Sequence, residues 1–406
     1  MGDRLFVDRG DELRRVGFRL SSGGGAVCLD GPVGVGKTSL ANVASYRAMQ
    51  AYLANPKNSL LLPCRQSFQV SSEETADEFR IRVLTEVAQT LLEQASTFRI
   101  GLNMEGRDGI DKWLNSPLLT QWSGGVPILS AGFGAQSNES AGYSQSGFAR
   151  TVIGWLENIF PENETGGVIC VLDNLELLET SSLARKKIET LRDTLFTIRG
   201  LRWILCGAHG ILQGVVSSQR LVGHLQEPVF IAPLALQKSH AVFNARVDVF
   251  GRPSGNACYL PMEAGDFDRV YLIVHRNLRN ALAYADEYCM HIAEGGVFPS
   301  STEDKRARFD SWLKNRATSI RDAVKSQLAP TALGLFRTIA DKMDGELAPG
   351  DFKALGFQSV QAMRPHIRSL EEVGLLETQR DEIDQRRKSI SVTGKGWLVH
   401  WCEITD

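Results

Sequence analysis

The chain predicts a three-layer α/β domain built on a parallel sheet, followed by a helical lid domain and a small C-terminal helix-and-hairpin domain. Three observations carry this. Over the first 235 residues, short apolar runs alternate with longer helical stretches, the pattern of strands covered by helices on both faces. From 236 to 328 the periodicity is helical throughout. From 329 onward, helical patterns lead into two strand-like runs around a polar turn.

In chain order, the strand runs are AVCLD (26–30), LLLPC (60–64), VICVLD (168–173), WILCGA (203–208) and PVFIAPL (228–234), with helices such as 38–53 and 73–92 between them. The boundaries follow as 1–235, 236–328 and 329–406, with 98–165 an insertion-like segment of the first domain. Inside that segment, 123–148 is rich in Gly, Ser, Gln and Asn and carries one charge, Glu139. It reads as a flexible loop, as a rim hairpin formed by VPILSAGFGA and AGYSQSGF, or as a functional insertion. The lid helices are expected at 237–250, 267–275, 278–293 and 303–328, with the loop GRPSGNACYLP after the first. The last domain reads as helices at 331–343 and 349–355, then a third in SVQAMRPHIRSLEEVGLLE. Pro365 predicts a kink or a late start in that third helix, and Gly374 its end. LLETQRD and KSISVTGKGWLV then flank the turn DEIDQRR, giving the order of a winged helix-turn-helix.

The chain has 406 residues, enough for two to three domains, and is 43% hydrophobic and 23% charged, which excludes a disordered or fibrous chain. No apolar run approaches the ~18 to 20 residues of a membrane span. The start, MGDRLFVDRGDELRR, is too charged for a secretory signal, and Phe6 stands where a myristoylation signature needs Ser or Thr. Lys plus Arg number 45 against 47 for Asp plus Glu, a net charge of −2, so a globally basic nucleic-acid coat is excluded but local basic patches are not. The seven cysteines form no CxxC pair, and Cys28, Cys170 and Cys206 lie in apolar runs as small core hydrophobes. A reduced, cytoplasmic protein without structural zinc is expected.

The chemistry is concentrated in GPVGVGKTS: Gly31, Pro32, Val33, Gly34, Val35, Gly36, Lys37, Thr38 and Ser39. This is G-x-x-x-x-G-K-[ST] placed between a strand and a helix, where glycines let backbone N–H groups turn inward around phosphates at a helix N-terminus. ATP is the expected ligand, with Lys37 reaching the β and γ phosphates and Thr38 offering its hydroxyl to Mg²⁺. VICVLDNLE supplies a carboxylate at a strand end, Asp173, as a second Mg²⁺ contact.

These motifs resemble those of AAA+ ATPases, and within them the origin-recognition, initiator-type members. FVDRGDEL, residues 6–13, resembles the family's F-V-G-R-x-x-E-L motif and would bring Arg9 to the nucleotide. WILCGA lies where the sensor-1 strand is found. HRNLRNALAYA resembles the sensor-2 helix, whose arginine would be Arg279, reaching over the phosphates from the lid. The resemblance implies ATP-dependent self-association, with an arginine finger from a neighbouring copy; Arg220 in SSQRLVGHLQEPVFIAPL is the candidate, and a plain surface arginine the alternative. The chain departs from the family at several points. Asn174 follows Asp173 where a water-polarising Glu is usual, and Glu176 substitutes only if the strand end curls back. Cys206 to Ala208 lack the sensor-1 Asn, Ser or Thr, with His209 nearby. Asp8 replaces a Gly. Slow hydrolysis is therefore expected.

Residues 328–406 hold ten Lys/Arg and twelve Asp/Glu, so DNA binding would rest on placement: Arg364, His366 and Arg368 on the third helix, and Arg386, Arg387 and Lys388 at the wing. Lys305, Arg306, Arg308, Lys314, Arg316, Arg321 and Lys325 make the last lid helix basic, either to help or as a solvated face. The leading expectation is an ATP-driven assembly or switch acting on double-stranded DNA. The alternatives are a STAND-type switch of a defence or transposition system, whose winged helix binds a protein effector, and an inactive ATP-binding scaffold.

Overall fold

The computed structural model describes residues 2–114, 145–178, 181–208, 210–251, 259–343, 345–347, 349–380 and 388–405. The five apolar runs form β1 (Val27–Asp30), β2 (Leu60–Pro63), β3 (Gly166–Leu172), β4 (Leu201–Cys206) and β5 (Val229–Phe230). They make one parallel sheet in the order β2–β3–β4–β1–β5. Side chains alternate between two cores. Cys28, Leu62, Cys170, Trp203 and Leu205 pack with helices Ala76–Gln94, Gln145–Ile159 and Ser181–Leu191. Val27, Leu29, Leu61, Val171 and Cys206 pack with helices Gly10–Ser22 and Lys37–Ala54. β3 and β4 are buried at every position, which is why the sequence shows continuous apolar runs there. β3 starts before its apolar run. Gly166 has φ +135°, and a Cβ on it would lie 1.9 Å from the Leu60 carbonyl oxygen, so only glycine lets β3 enter beside β2.

The hairpin reading of 123–148 is corrected in its described part. Residues 145–148 open helix Gln145–Ile159, because Phe148, Val152, Trp155 and Leu156 recur at helical spacing and are all essentially buried in the core. Residues 123–144 lie outside the described residues. The lid comprises helices Leu236–Phe250, Ala264–Ile273, Leu278–Gly295 and Thr302–Lys325 around Phe267, Tyr271, Tyr288, Phe309 and Leu313.

The C-terminal unit contains helices Pro330–Lys342 and Val360–Glu372 and an antiparallel sheet, β6 (Glu346–Leu347), β8 (Lys388–Val392) and β7 (Leu376–Arg380) in that order. The helix expected at 349–355 is only a short 3₁₀ turn, Pro349–Lys353. Helix Val360–Glu372 is capped by the Ser359 hydroxyl, which accepts the Ala362 N–H at 3.2 Å, so it starts before Pro365 and carries the proline inside. It closes on Gly374 (φ +75°), with Leu375 N–H on the Leu370 carbonyl and Gly374 N–H on the Glu371 carbonyl, both at 2.9 Å. KSISVTGKGWLV is strand only in its first half. At Thr393, whose hydroxyl accepts the Gly396 N–H at 3.0 Å, the chain turns into helix Gly394–Thr405, and Leu398 and Cys402 enter the lid core. Among the described residues no helix is long and apolar enough to cross a membrane.

Candidate nucleotide site

Because the sheet is parallel, β1, β3 and β4 deliver their C-terminal ends to one edge. Three P-loop glycines have positive φ: Gly31 (+151°), Gly34 (+81°) and Gly36 (+98°). A Cβ on Gly31 would lie 2.3 Å from the Ile231 carbonyl oxygen and one on Gly34 2.2 Å from Asn277 Oδ1, so these two let β5 and the lid close on the loop. Gly36 is the N-cap of helix Lys37–Ala54, and a Cβ on it would meet nothing within 4 Å; a helix N-terminus favours an anion.

Lys37 is buried, and its Nζ donates to the carbonyls of Gly31 and Pro32, both at 2.9 Å. Burial pulls its pKa down, opposed chiefly by the Glu176 carboxylate. The Thr38 hydroxyl donates to Asp173 Oδ2 at 2.6 Å, joining the P-loop helix to the end of β3. Two adjacent oxygens of this kind fit Mg²⁺, which takes few protein ligands and fills its shell with phosphate and water. Among the described residues no cluster of three or more His, Cys, Asp or Glu forms a dedicated metal cage.

Beyond Asp173 the chain does curl back. Asn174 sits at φ +57° and Leu175–Leu178 is a 3₁₀ turn. This brings Glu176 within electrostatic reach of Lys37. Burial pushes the Glu176 pKa up; Lys37 and Arg279 oppose this and Asp173 adds to it. Among the described residues Glu176 Oε2 is buried without a hydrogen-bond partner, an acceptor available to a ligand or water.

The lid meets the loop directly. Asn277 Nδ2 donates to the Val33 carbonyl at 3.1 Å, and the Arg279 N–H to the Gly34 carbonyl at 3.3 Å. Asn277 also caps its own helix, its Oδ1 accepting the Asn280 N–H at 3.1 Å. The turn before it holds His275 (φ +53°) and Arg276 (φ +59°) in the left-handed region, a strained geometry that packing must maintain.

The structure thus gathers the P-loop, Lys37, Thr38, Asp173, Glu176 and Arg279. Arg9 is buried, but its guanidinium is spent on the protein: Nη2 donates to the carbonyls of Ala232 (2.7 Å) and Val35 (3.4 Å), and Nη1 pairs with Glu12 at 3.1 Å. It braces the loop from behind. Asp8 has φ +57°, a conformation glycine adopts without strain, and pairs with Lys238 at 2.9 Å. Arg220 is exposed and pairs with Glu189 at 3.4 Å. At the sensor-1 position the structure puts the Cys206 thiol, its pKa pushed up by burial, among Asp173, Lys37 and Glu176. His209 lies outside the described residues.

Two site residues escaped the sequence reading. Asp30 ends β1 and its Oδ1 accepts the N–H of Gly31 (2.7 Å) and of Gly210 (3.2 Å), tying the P-loop to the β4 loop. A lone carboxylate closing an apolar strand run was its signal. The signal for Asn277 was an Asn immediately before a helical run.

No protein-family model and no curated protein sequence matches the chain. Solved structures with a similar overall course include the Aeropyrum pernix ORC1 protein in complex with DNA, at 13% identity over 99% of this chain and 93% of that one, TM-score 0.47. The Aeropyrum pernix ORC2 protein in ADPNP–ADP complexes gives 14% identity, 98% and 94% coverage and a TM-score of 0.46. The Walker-type ATPase of Pyrococcus abyssi gives 14%, 98% and 96%, and 0.47. At these scores the likeness brings neither activity nor partner to this chain. The fold itself, a parallel sheet in the order β2–β3–β4–β1–β5 with a loop of P-loop sequence after β1 and a helical lid resting on it, is the AAA+ arrangement that FVDRGDEL and GPVGVGKTS implied.

Proposed function

We propose that the chain is an ATP-binding AAA+ switch with slow, Mg²⁺-dependent hydrolysis, acting on double-stranded DNA through a winged helix formed by its last domain. The observation that carries this is the pinning of the lid onto the P-loop by Asn277 and Arg279. A phosphate entering the loop competes for the groups that set the base–lid angle, so nucleotide state is read out as geometry. Gly31 to Ser39 would cradle the phosphates, Thr38 and Asp173 would hold Mg²⁺, and Arg279 would approach from the lid. Glu176, displaced from the usual position, would orient water less efficiently than a Glu directly after Asp173. Arg220, turned to the outside, suits a finger offered to a second copy in an ATP-dependent assembly.

Arg364 and Arg368 are exposed on helix Val360–Glu372, where they can meet DNA phosphates. Arg368 also pairs with Glu372 at 2.9 Å, an exposed bond that is cheap to exchange. The basic lid helix offers less than its composition suggests, since Lys305, Arg316, Arg321 and Lys325 are engaged with Glu263, Glu287, Asp322 and Glu403. Arg386 and Arg387 lie outside the described residues. If about three phosphates are neutralised, log affinity for duplex DNA falls against log salt with a slope near −2.7, a loss of roughly 40-fold between about 50 and about 200 mM. Replacing Arg364 and Arg368 together by Ala should flatten that slope by roughly 1.8 and weaken all sequences alike, read by fluorescence anisotropy with ATP present. A salt-independent affinity, or no binding at low salt, would transfer the last domain to protein contacts. The STAND-type reading, with a protein effector, is favoured by one feature: the C-terminal helix is docked into the lid through Leu398 and Cys402.

A further inference from the structure

Two cysteines stand side by side at the edge of the parallel sheet. β2 pairs Pro63 with Ile169 of β3, and one step further the Cys64 N–H donates to the Ile169 carbonyl at 2.9 Å, so the parallel register sets Cys64 opposite Cys170. Both face the same side of the sheet. Cys170 belongs to the core that holds Leu62 and Val168, and Cys64 packs against that core. Neighbouring strands lie about 4.8 Å apart, inside the ~4.4 to 6.8 Å between Cα atoms that a disulfide spans. Both thiols are free. The other strand cysteines have no such neighbour: Cys28 pairs with Leu205 and Cys206 with Leu29.

The two thiols differ in surroundings. Cys170 is fully buried, and burial drives its pKa far up, so it keeps its proton. Cys64 directly follows β2, is partly exposed, and has its Sγ 3.6 Å from the Thr90 hydroxyl. The Cys170 thiol beside it holds the Cys64 pKa below the usual cysteine range; burial opposes this and Thr90 assists. A partly exposed thiol with more thiolate character next to a second thiol is the pattern of a sulfur that oxidises first and one that resolves it. β2 is an edge strand tied to β3 alone. The segment after Cys64 rejoins β3 at Phe68, whose N–H donates to the Val171 carbonyl and whose carbonyl accepts the Asp173 N–H, both at 2.7 Å.

We propose that Cys64 and Cys170 form a redox modification site whose substrate is a hydroperoxide, with Cys64 the attacking thiol and Cys170 the resolving one. The Cys64 thiolate attacks one oxygen of hydrogen peroxide: an S–O bond forms, the O–O bond breaks, and the departing hydroxide takes up a proton as water. The Cys170 sulfur then attacks Cys64 Sγ: the S–S bond forms, the S–O bond breaks, and the Cys170 proton leaves with the hydroxyl as a second water. The two thiols together give up two electrons, and the peroxide is reduced to two waters. The product staples the edge strand to β3 three residues before Asp173, and a thiol reductant releases it.

The test treats the folded, reduced full chain with hydrogen peroxide, then denatures it, alkylates the remaining thiols and maps the peptides by mass spectrometry. The expected result is a Cys64–Cys170 disulfide, lost on adding dithiothreitol, with Cys28 and Cys206 still alkylated. In Cys170→Ala, oxidation should stop at a Cys64 sulfenic acid that dimedone traps. In Cys64→Ala, Cys170 should remain a thiol. The parent decides the matter even if a variant fails to fold. A parent that keeps both thiols, that joins Cys64 to a different cysteine, that carries Cys64 to a sulfinic acid with Cys170 still reduced, or that forms the bond only in denaturant, would overturn the assignment.

Discussion

Lys37→Ala loses nucleotide binding while the chain keeps its fold. The Lys37 ammonium is buried and, among the described residues, bonded only to the carbonyls of Gly31 and Pro32. Burial disfavours its charged form while the Glu176 carboxylate opposes this, so the two effects of removing the charge offset and the fold should survive. What would disappear is the cation proposed to face the β and γ phosphates. Two charge-assisted bonds at about 1.5 kcal/mol each put the loss near 100-fold in ATP affinity. Equilibrium dialysis with labelled ATP and a thermal melt check both halves. Equal affinity in parent and variant removes the phosphate role, and a collapsed melting point makes Lys37 a fold residue instead.

Glu176→Gln separates turnover from binding. The carboxylate sits behind Asp173 in the 3₁₀ turn, with one buried oxygen lacking a hydrogen-bond partner among the described residues. A positioned base contributes on the order of 100-fold or more to a hydrolytic rate, so residual turnover should fall by at least that factor while ATP affinity stays within about twofold. The pH dependence has a definite sign. Burial raises the folded pKa of Glu176, with Asp173 adding and Lys37 and Arg279 opposing. A rate that needs ionised Glu176 therefore falls, as pH drops, at a higher pH than an ordinary glutamate would give, and Glu176→Gln abolishes that acid limb. A single-turnover pH profile decides; an unchanged rate places the water elsewhere.

The strands and the P-loop were legible because a buried parallel strand writes itself as an unbroken apolar run, as VICVLD does, and because the phosphate loop demands glycines at set spacing. Asn174 and Glu176 could be named as the departure from Asp-Glu. The left-handed turn that returns Glu176 toward Lys37 could not be foreseen, since Asn tolerates that conformation without announcing it. The last helix was misread because KSISV and GKGWLV form one apolar stretch; Thr393 switches it from strand to helix through a cap that periodicity does not display. The docking of the C-terminal unit on residues 275–280 was invisible for a different reason: it is a contact between segments more than about a hundred residues apart in the sequence. Arg9 reads as a nucleotide contact from its motif, yet its hydrogen bonds to Val35 and Ala232 hold the loop rather than the ligand.

If nucleotide state and the C-terminal unit on DNA form the single switch proposed, ATP turnover by the full chain depends on duplex DNA. Slow basal hydrolysis that rises several-fold on adding duplex DNA at low salt, and returns to the basal rate at high salt as phosphate contacts are screened, is the expected result. Turnover identical with and without DNA at every salt concentration, from a chain that still binds ATP, would contradict it.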